Sequence, residues 1–166
     1  AVRDGAAESL RFGVTTVGDI SRGVAAARGA LSGSRLRAVS FGEVVGMARR
    51  KSQLAPRLDA ALADCRPIAD PLPTQTRAVS PHAPYSVDPE GYRTCLSTAR
   101  DAGLAITTHL AETADEAPFL ATHTGPFREL WQRLGAWYES PADEQSQFPP
   151  FPGGPVRYAA SLGLLD

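Results

Sequence analysis

Two stretches decide the fold of this chain: Ser80–Val87, with the sequence SPHAPYSV, and Ile106–Thr113, with the sequence ITTHLAET. Each has the pattern of a short β-strand that ends in polar side chains able to bind a metal or carry a proton. The residues between them predict a helix. Strand, helix and strand in this order are typical of a parallel βαβ unit, whose two strands end on the same side of the sheet. We therefore expect His82, His109 and Glu112 to face one common pocket.

The helix between the two stretches has signals at both of its ends. Asp88 suits the N-cap and Pro89 the first helical position, while Gly103 suits the position just beyond the last turn. Apolar side chains recur at helical spacing and share one face: Tyr92, Cys95, Leu96 and Ala99. We therefore predict a helix that lies between Asp88 and Gly103.

The spacing of His109 and Glu112 suits metal-assisted hydrolysis. A neutral imidazole nitrogen can bind a divalent metal, and a carboxylate three residues later can reach a water on that metal without becoming a ligand. A bound metal lowers the pKa of its water towards ~7, and a nearby carboxylate can then carry the proton. The alternative is a core histidine and a solvated loop carboxylate, which an isolated His-x-x-Glu pattern would favour.

Four strands are predicted, and a polar residue lies at or near the end of each. The strands are expected near Val14–Val17, Leu36–Phe41, Ala78–Ser80 and Leu104–Thr108, parallel and paired in sequence order. The polar residues are Asp19, Glu43, His82 and His109. In parallel sheets and barrels, ligands bind at the carboxyl ends of the strands. For Asp19 and Glu43, a role as a helix cap or loop anchor is equally well supported.

The two quoted stretches together resemble the amidohydrolase superfamily, in the branch of chlorohydrolases and adenosine-type deaminases (S-adenosylhomocysteine, methylthioadenosine and aminofutalosine deaminases). The resemblance continues in order along nearly the whole chain, through Gly13–Asp19, Phe41–Gly46, Gly125–Leu130 and Ala160–Asp166. It implies an α/β fold: a partial (β/α)8 TIM barrel of the metal-dependent hydrolase type, roughly strands two to five with their helices. Residues 1–166 would then be a fragment of one barrel domain.

The same resemblance implies roles for three residues. His109 matches a metal ligand, Glu112 matches the acid/base, and His82 matches a histidine that contacts the substrate. The implied cofactor is a divalent metal, zinc with iron as the alternative. Its remaining ligands are expected outside this chain, because the His-x-His pair and the later metal ligands of the family have no match here and a catalytic metal needs about three protein ligands.

The reaction that the resemblance implies for the full-length protein is hydrolytic deamination of an aminopurine-type ring by metal-activated water. Dechlorination or cyclic amide hydrolysis are the alternatives within the family. A non-enzymatic α/β module, in which His82 and His109 are structural, is the alternative outside it. The fragment alone is expected to be inactive and not to fold stably, since a partial barrel has unpaired sheet edges.

Other segments give further expectations. Helices are predicted over Ala1–Phe12, Val24–Leu31, Met47–Ala63, Glu116–Trp137 with a break at Gly125, and Pro155–Leu162. The proline- and glycine-rich stretch 140–155 is predicted to be an irregular loop. His123 lies outside any matching motif, and we expect it on the surface.

Composition fits one soluble globular domain, and the resemblance implies a small-molecule substrate. The chain has 166 residues, 43% hydrophobic and 21% charged, with a net charge of −1, so it lacks a basic field for nucleic acid or anionic membranes. It has no apolar run near the ~20 residues that span a bilayer and no visible signal peptide. We expect a cytoplasmic protein whose two cysteines, Cys65 and Cys95, are buried and reduced. A homo-oligomer is left open for the full-length protein.

Overall fold

Three parallel strands form the sheet of the computed structural model, which describes residues 1–63 and 75–165. The strands are β1 (Thr16–Ser21), β2 (Arg37–Val44) and β3 (Gln75–Pro81), adjacent in the order β1-β2-β3. Both pairings are parallel, with Thr16 opposite Arg37 and Ala38 opposite Gln75 at their starts. The predicted parallel, in-order arrangement is therefore confirmed for these strands, although β2 and β3 are longer than expected.

The first strand begins later than the sequence suggested. The stretch Val14–Val17 was the expected strand, but β1 starts at Thr16. Gly13 has a φ of +83°, and the Val14 amide donates to the Ser9 carbonyl at 2.9 Å, so these residues still close the turn after the first helix. Because β1 extends to Ser21, Asp19 lies inside the strand and not after it.

The predicted fourth strand is reduced to one bridge. Ile106 pairs in parallel with Val79, and the Thr107 amide donates to the Val79 carbonyl at 3.1 Å. The next donor from β3 in this ladder would be residue 81, but Pro81 has no N–H, so the ladder stops there. Leu104–Thr108 therefore runs beside β3 without forming a regular strand.

Helices follow or separate these strands. Among the described residues they are α1 (Val2–Arg11), α2 (Val24–Leu31), a 3₁₀-helix (Ala48–Gln53), α3 (Leu54–Leu62), α4 (Pro89–Asp101), α5 (Glu116–Thr122), α6 (Pro126–Arg133), α7 (Pro141–Gln147) and α8 (Gly154–Ser161). The N-cap of α4 is the expected one, because the Asp88 carboxylate accepts the Gly91 amide at 2.7 Å. Gly103 follows α4 with a φ of +63°, a conformation that glycine adopts at low cost.

One helix prediction and one loop prediction need correction. The expected helix Met47–Ala63 is divided into the 3₁₀-helix and α3, and α3 begins two residues before Pro56. Proline is tolerated in the first turn of a helix, where the N–H needs no intrahelical partner. The stretch 140–155, predicted to be an irregular loop, contains α7. Ser140 caps α7 by accepting the Asp143 amide at 3.1 Å, a local signal that outweighs the proline content.

Two apolar clusters support the carboxyl ends of the strands. One packs α3 and α4 on the sheet around Val44, Val79 and Cys95, and the other gathers aromatic side chains of the later helices around Phe119 and Phe148. Cys95 is a buried free thiol, as expected, while Cys65 lies outside the described residues. No helix in residues 1–63 and 75–165 is long and apolar enough to cross a membrane.

Candidate functional site

The carboxyl ends of β2 and β3 and the segment beside β3 bring three polar side chains together. Glu43 is the last but one residue of β2, and His82 directly follows β3. The His109 amide donates to the His82 carbonyl at 2.8 Å, so the two histidines are neighbours just beyond the end of the ladder. Their rings lie 5.1 Å apart between centroids. Potential metal-ligating atoms of Glu43, His82 and His109 all lie within 4.8 Å of one another.

His82 is half-buried and is contacted at both ring nitrogens. Its Nδ1 lies 2.7 Å from the Ser86 hydroxyl, and its Nε2 lies 3.9 Å from a carboxylate oxygen of Glu43. Burial lowers the pKa of His82 below its ordinary value, the Glu43 carboxylate opposes that shift, and His109 adds to it. The ring is therefore neutral near pH 7, with one nitrogen protonated.

Glu43 belongs to this cluster and Asp19 does not, a distinction that the sequence left open. The Glu43 Oε2 pairs with the Arg22 guanidinium, which leaves Oε1 facing His82. Asp19 instead accepts a hydrogen bond from the Ser21 hydroxyl at 3.3 Å within β1. Asp19 is therefore bound locally in its own strand, while Glu43 reaches across to β3.

Glu112 is exposed and is held through its side chain by Tyr85. The Tyr85 hydroxyl donates to Glu112 Oε2 at 2.6 Å, and the tyrosine ring stacks on Phe127 at 3.9 Å between centroids. Burial, reinforced by the bond to Glu112, raises the pKa of Tyr85, so this hydroxyl stays a donor. The Tyr85 and His82 rings are also nearly perpendicular, with 5.5 Å between their centroids. Tyr85 thus connects Glu112 to the histidine pair, a link that sequence reasoning missed.

A second residue that sequence reasoning missed is Glu116, at the start of α5. Its fully buried carboxylate accepts the backbone amides of Ala111 at 3.0 Å, of Glu112, and of Thr113 at 3.3 Å. Ala111 has a φ of +56°, so these amides converge in a tight turn just after His109. The sequence does carry the signal, because Thr113-x-x-Glu116 has the spacing of a capping box.

The third histidine contradicts the expectation that it lies on the surface. His123 is 4% exposed, stacks on Phe148 at 4.6 Å, and places Nδ1 2.7 Å from Glu144. Burial alone would raise the pKa of Glu144, but hydrogen bonds from Trp137 and His123 and the charge of Arg128 lower it overall. His123 is therefore part of a buried polar network that includes α7 and takes no part in the histidine pair.

The donor set at the strand ends fits a divalent metal. Zinc binds imidazole nitrogens and carboxylate oxygens, with about three protein ligands in a catalytic site. The His109 ring contacts the His82 ring and makes no hydrogen bond within residues 1–63 and 75–165, so its nitrogens can serve as ligands. His109 is therefore better placed than His82 to act as a metal ligand, because the two nitrogens of the His82 ring already face Ser86 and Glu43.

Comparison with known proteins decides the family. The profile of the amidohydrolase family matches residues 1–125. The chain belongs to the amidohydrolase family. A 5-methylthioadenosine/S-adenosylhomocysteine deaminase of Desulfovibrio desulfuricans is 36% identical to it over 115 residues. That match covers 68% of this chain and 26% of the relative, so this amidohydrolase chain spans about a quarter of the relative's length.

Solved structures agree with the family assignment. Helicobacter pylori aminofutalosine deaminase in complex with methylthio-coformycin is similar with a TM-score of 0.67 and 26% identity, over 79% of this chain and 31% of that one. An adenosine deaminase of Xanthomonas campestris with bound zinc has a TM-score of 0.62 and 20% identity, over 99% and 32%. A triazine hydrolase from Arthobacter aurescens has a TM-score of 0.66 and 14% identity, over 98% and 34%. The last two likenesses are of fold alone.

Proposed function

We propose that this chain is the middle part of one amidohydrolase barrel domain, roughly its strands two to five, and that the full-length protein deaminates a small molecule with an aminopurine-type ring. One observation carries the proposal: His82, His109 and the Tyr85–Glu112 pair gather at the carboxyl ends of parallel strands. Support for the substrate class comes from the 36%-identical relative, which is named as a deaminase of 5-methylthioadenosine and S-adenosylhomocysteine. The likeness to triazine hydrolase does not favour dechlorination.

In this proposal, His109 holds a divalent metal, zinc or alternatively iron, together with ligands outside this chain. The metal, when bound, supplies an activated water at neutral pH. The role of His109 is to present an imidazole nitrogen from a fixed position, because its backbone amide is bonded to the His82 carbonyl at 2.8 Å. A ligand anchored next to the ladder needs little reorganisation to bind.

Glu112 is the proton carrier. Its Oε2 accepts the Tyr85 hydroxyl at 2.6 Å, so Oε1 is the oxygen left to take a proton and pass it to a ring nitrogen of the substrate. The Glu116 carboxylate fixes the backbone amide of Glu112 and so limits the positions that this side chain can reach. His82 binds the substrate through Nε2, the nitrogen that faces the cluster.

The test measures ammonia release by the full-length protein from 5-methylthioadenosine, S-adenosylhomocysteine and adenosine, together with bound metal by elemental analysis. Glu112→Gln keeps the shape and removes the proton carrier, so the metal should stay while turnover falls by ~10²–10⁴. His109→Ala removes a ligand, so metal and turnover should fall together.

Glu139→Gln is the matched control, because Glu139 is an exposed carboxylate that pairs with Arg49 at 3.7 Å, outside the Glu43–His82–His109 cluster. Its metal content and turnover should equal those of the wild type. Equal metal loss in Glu112→Gln and His109→Ala would make Glu112 a ligand and refute the assigned role. Full turnover in either variant would remove both residues from the mechanism.

A further inference from the structure

We propose that Trp131 is a positioning residue that acts on Glu112 through Tyr85, and that Phe127, one turn earlier on α6, assists it. Together the two aromatic side chains hold the backbone and the ring of Tyr85. They belong to a helix that lies beyond residues 1–125, the part of the chain that the amidohydrolase profile matches. The effect on proton transfer by Glu112 rests on the proposed function, whereas the contacts with Tyr85 do not.

Tyr85 lies in a tight turn that makes no use of its carbonyl. The Ser86 amide donates to the Ala83 carbonyl at 2.9 Å, so Pro84 and Tyr85 are the central residues of a β-turn. The hydrogen bond of such a turn joins the first carbonyl to the fourth amide and leaves the carbonyl of the third residue available. Nε1 of Trp131 donates to this carbonyl at 2.7 Å. That bond therefore attaches the turn to α6.

The ring of Tyr85 is held from the same helix. The Phe127 ring lies nearly parallel to it, with 3.9 Å between the centroids and 6° between the planes. Phe127 and Trp131 are four residues apart, so their side chains share one face of α6. Trp131 is only 5% exposed, which shields its hydrogen bond from competing water. Helix α6 thus fixes both the main chain and the side chain of Tyr85.

These contacts determine where Glu112 lies. Glu112 is exposed, and its Oε2 accepts the Tyr85 hydroxyl at 2.6 Å. An exposed carboxylate samples several rotamers unless a partner selects one. The position of the Tyr85 hydroxyl selects the rotamer of Glu112 and hence the position of the free Oε1, and proton transfer is sensitive to such placement. Trp131 therefore affects the reaction without contacting the reacting atoms.

A purely structural role for Trp131 is the alternative, and Trp137 is the matched control for it. Both tryptophans belong to the apolar cluster around Phe119 and Phe148, and Trp137 is 6% exposed. The Trp137 Nε1 also donates a hydrogen bond, but to Glu144 at 2.8 Å. Trp131→Phe and Trp137→Phe thus make the same change at similar burial. Both should lower the melting temperature, and only the first should affect turnover.

The test measures ammonia release and bound metal in the full-length protein. Trp131→Phe should lower kcat about fivefold, the effect of one lost hydrogen bond, with KM and metal content unchanged, while Trp137→Phe should keep kcat within about twofold. In a Tyr85→Phe background, Trp131→Phe should cause no further loss, because the hydroxyl through which it acts is gone. An equal fall of kcat in both tryptophan variants, or a full further loss in the Tyr85→Phe background, would overturn the proposal.

A second measurement needs no substrate. The ring signals of Tyr85 can be followed by NMR in protein labelled with ¹³C-tyrosine and identified with Tyr85→Phe. They should shift in Trp131→Phe and stay in place in Trp137→Phe. Phe127→Leu changes a half-buried side chain and should shift the same signals through loss of the stacked ring. Unchanged Tyr85 signals in both α6 variants would refute the proposal.

The two measurements separate this inference from the proposed function. If Trp131→Phe shifts the Tyr85 signals but Tyr85→Phe leaves ammonia release unchanged, Trp131 positions Tyr85 and the proposed link from Tyr85 to Glu112 catalysis fails. If Tyr85→Phe lowers turnover but Trp131→Phe changes neither the signals nor kcat, the proposed function stands and the role of Trp131 fails.

Discussion

Glu116→Gln is expected to loosen the turn that carries Glu112, although the two side chains differ by a single group. The carboxylate of Glu116 uses both oxygens, one for the Ala111 amide and the other for the amides of Glu112 and Thr113. A glutamine has one acceptor oxygen and one NH₂ group. If its oxygen faces Glu112 and Thr113, the NH₂ group faces the Ala111 amide, donor against donor.

The size of the effect follows from these three bonds. A hydrogen bond to a charged group contributes about 1.5–3 kcal/mol, and a bond to a neutral acceptor about half of that. The substitution removes one such bond and weakens the other two, at a side chain with no exposed surface. Because the bond from Thr113 is long, at 3.3 Å, it adds little, and we expect the free energy of local opening to fall by about 2–4 kcal/mol.

Amide hydrogen exchange in the full-length protein is the direct assay, because it reports the opening of individual backbone segments. Protection of residues 111–113 should fall by a factor of roughly 30 or more, since each 1.4 kcal/mol is a factor of ten. Turnover should fall as well, because Glu112 loses its fixed backbone.

The control is Glu129→Gln, a substitution of an exposed carboxylate on α6 that should change stability by no more than about 0.5 kcal/mol. Unchanged protection of residues 111–113 in Glu116→Gln, or an equal change in both variants, would refute the reasoning.

Three further predictions concern other contacts. Tyr85→Phe keeps the ring but removes the donor to Glu112, so kcat should fall about five- to tenfold in steady-state assays, with an unchanged melting temperature. Gly42→Ala would place a methyl 2.3 Å from the Ala61 Cβ and should destabilise by about 1–3 kcal/mol in thermal unfolding, whereas Gly29→Ala, which meets nothing within 4 Å in α2, should not. The pKa of Glu144 is lowered in the folded protein, so the stability that its carboxylate contributes is complete above the unfolded pKa near 4.5 and is lost as the pH falls through the folded pKa. The melting-temperature advantage of the wild type over Glu144→Gln should therefore shrink below about pH 5.

The histidine pair could be predicted from the sequence because it depends on topology alone. A parallel βαβ unit places His82 and His109 at the same edge whatever the neighbouring side chains are. Asp19 and Glu43 looked equivalent because the start of β1 was misplaced. Val14 belongs to the turn that closes α1, so β1 begins later in the sequence than expected and includes Asp19.

The misplaced histidine has a similar origin. His123 was expected on the surface because it lies outside any matching motif. Its partner comes from the stretch 140–155, which was expected to be an irregular loop. The cap at Ser140 starts α7 instead, and α7 brings Glu144 within 2.7 Å of the His123 ring. Tyr85 could not be assigned to the site in the same way, since its role depends on a contact with Glu112 that only the folded chain defines. Glu116 differs, because its capping-box spacing with Thr113 is a signal in the sequence.

Proline at position 81 connects the fold to the chemistry of the site. Because Pro81 has no N–H, the ladder beside β3 ends, and the next amide on the neighbouring segment, that of His109, bonds to the carbonyl of His82 instead of residue 81. The same carbonyl also accepts the Thr108 hydroxyl at 3.1 Å. The regular sheet therefore stops at the position where the two imidazole rings meet. An amide donor at position 81 would extend the ladder, and His109 would then bond one residue earlier, away from the carbonyl that pairs it with His82.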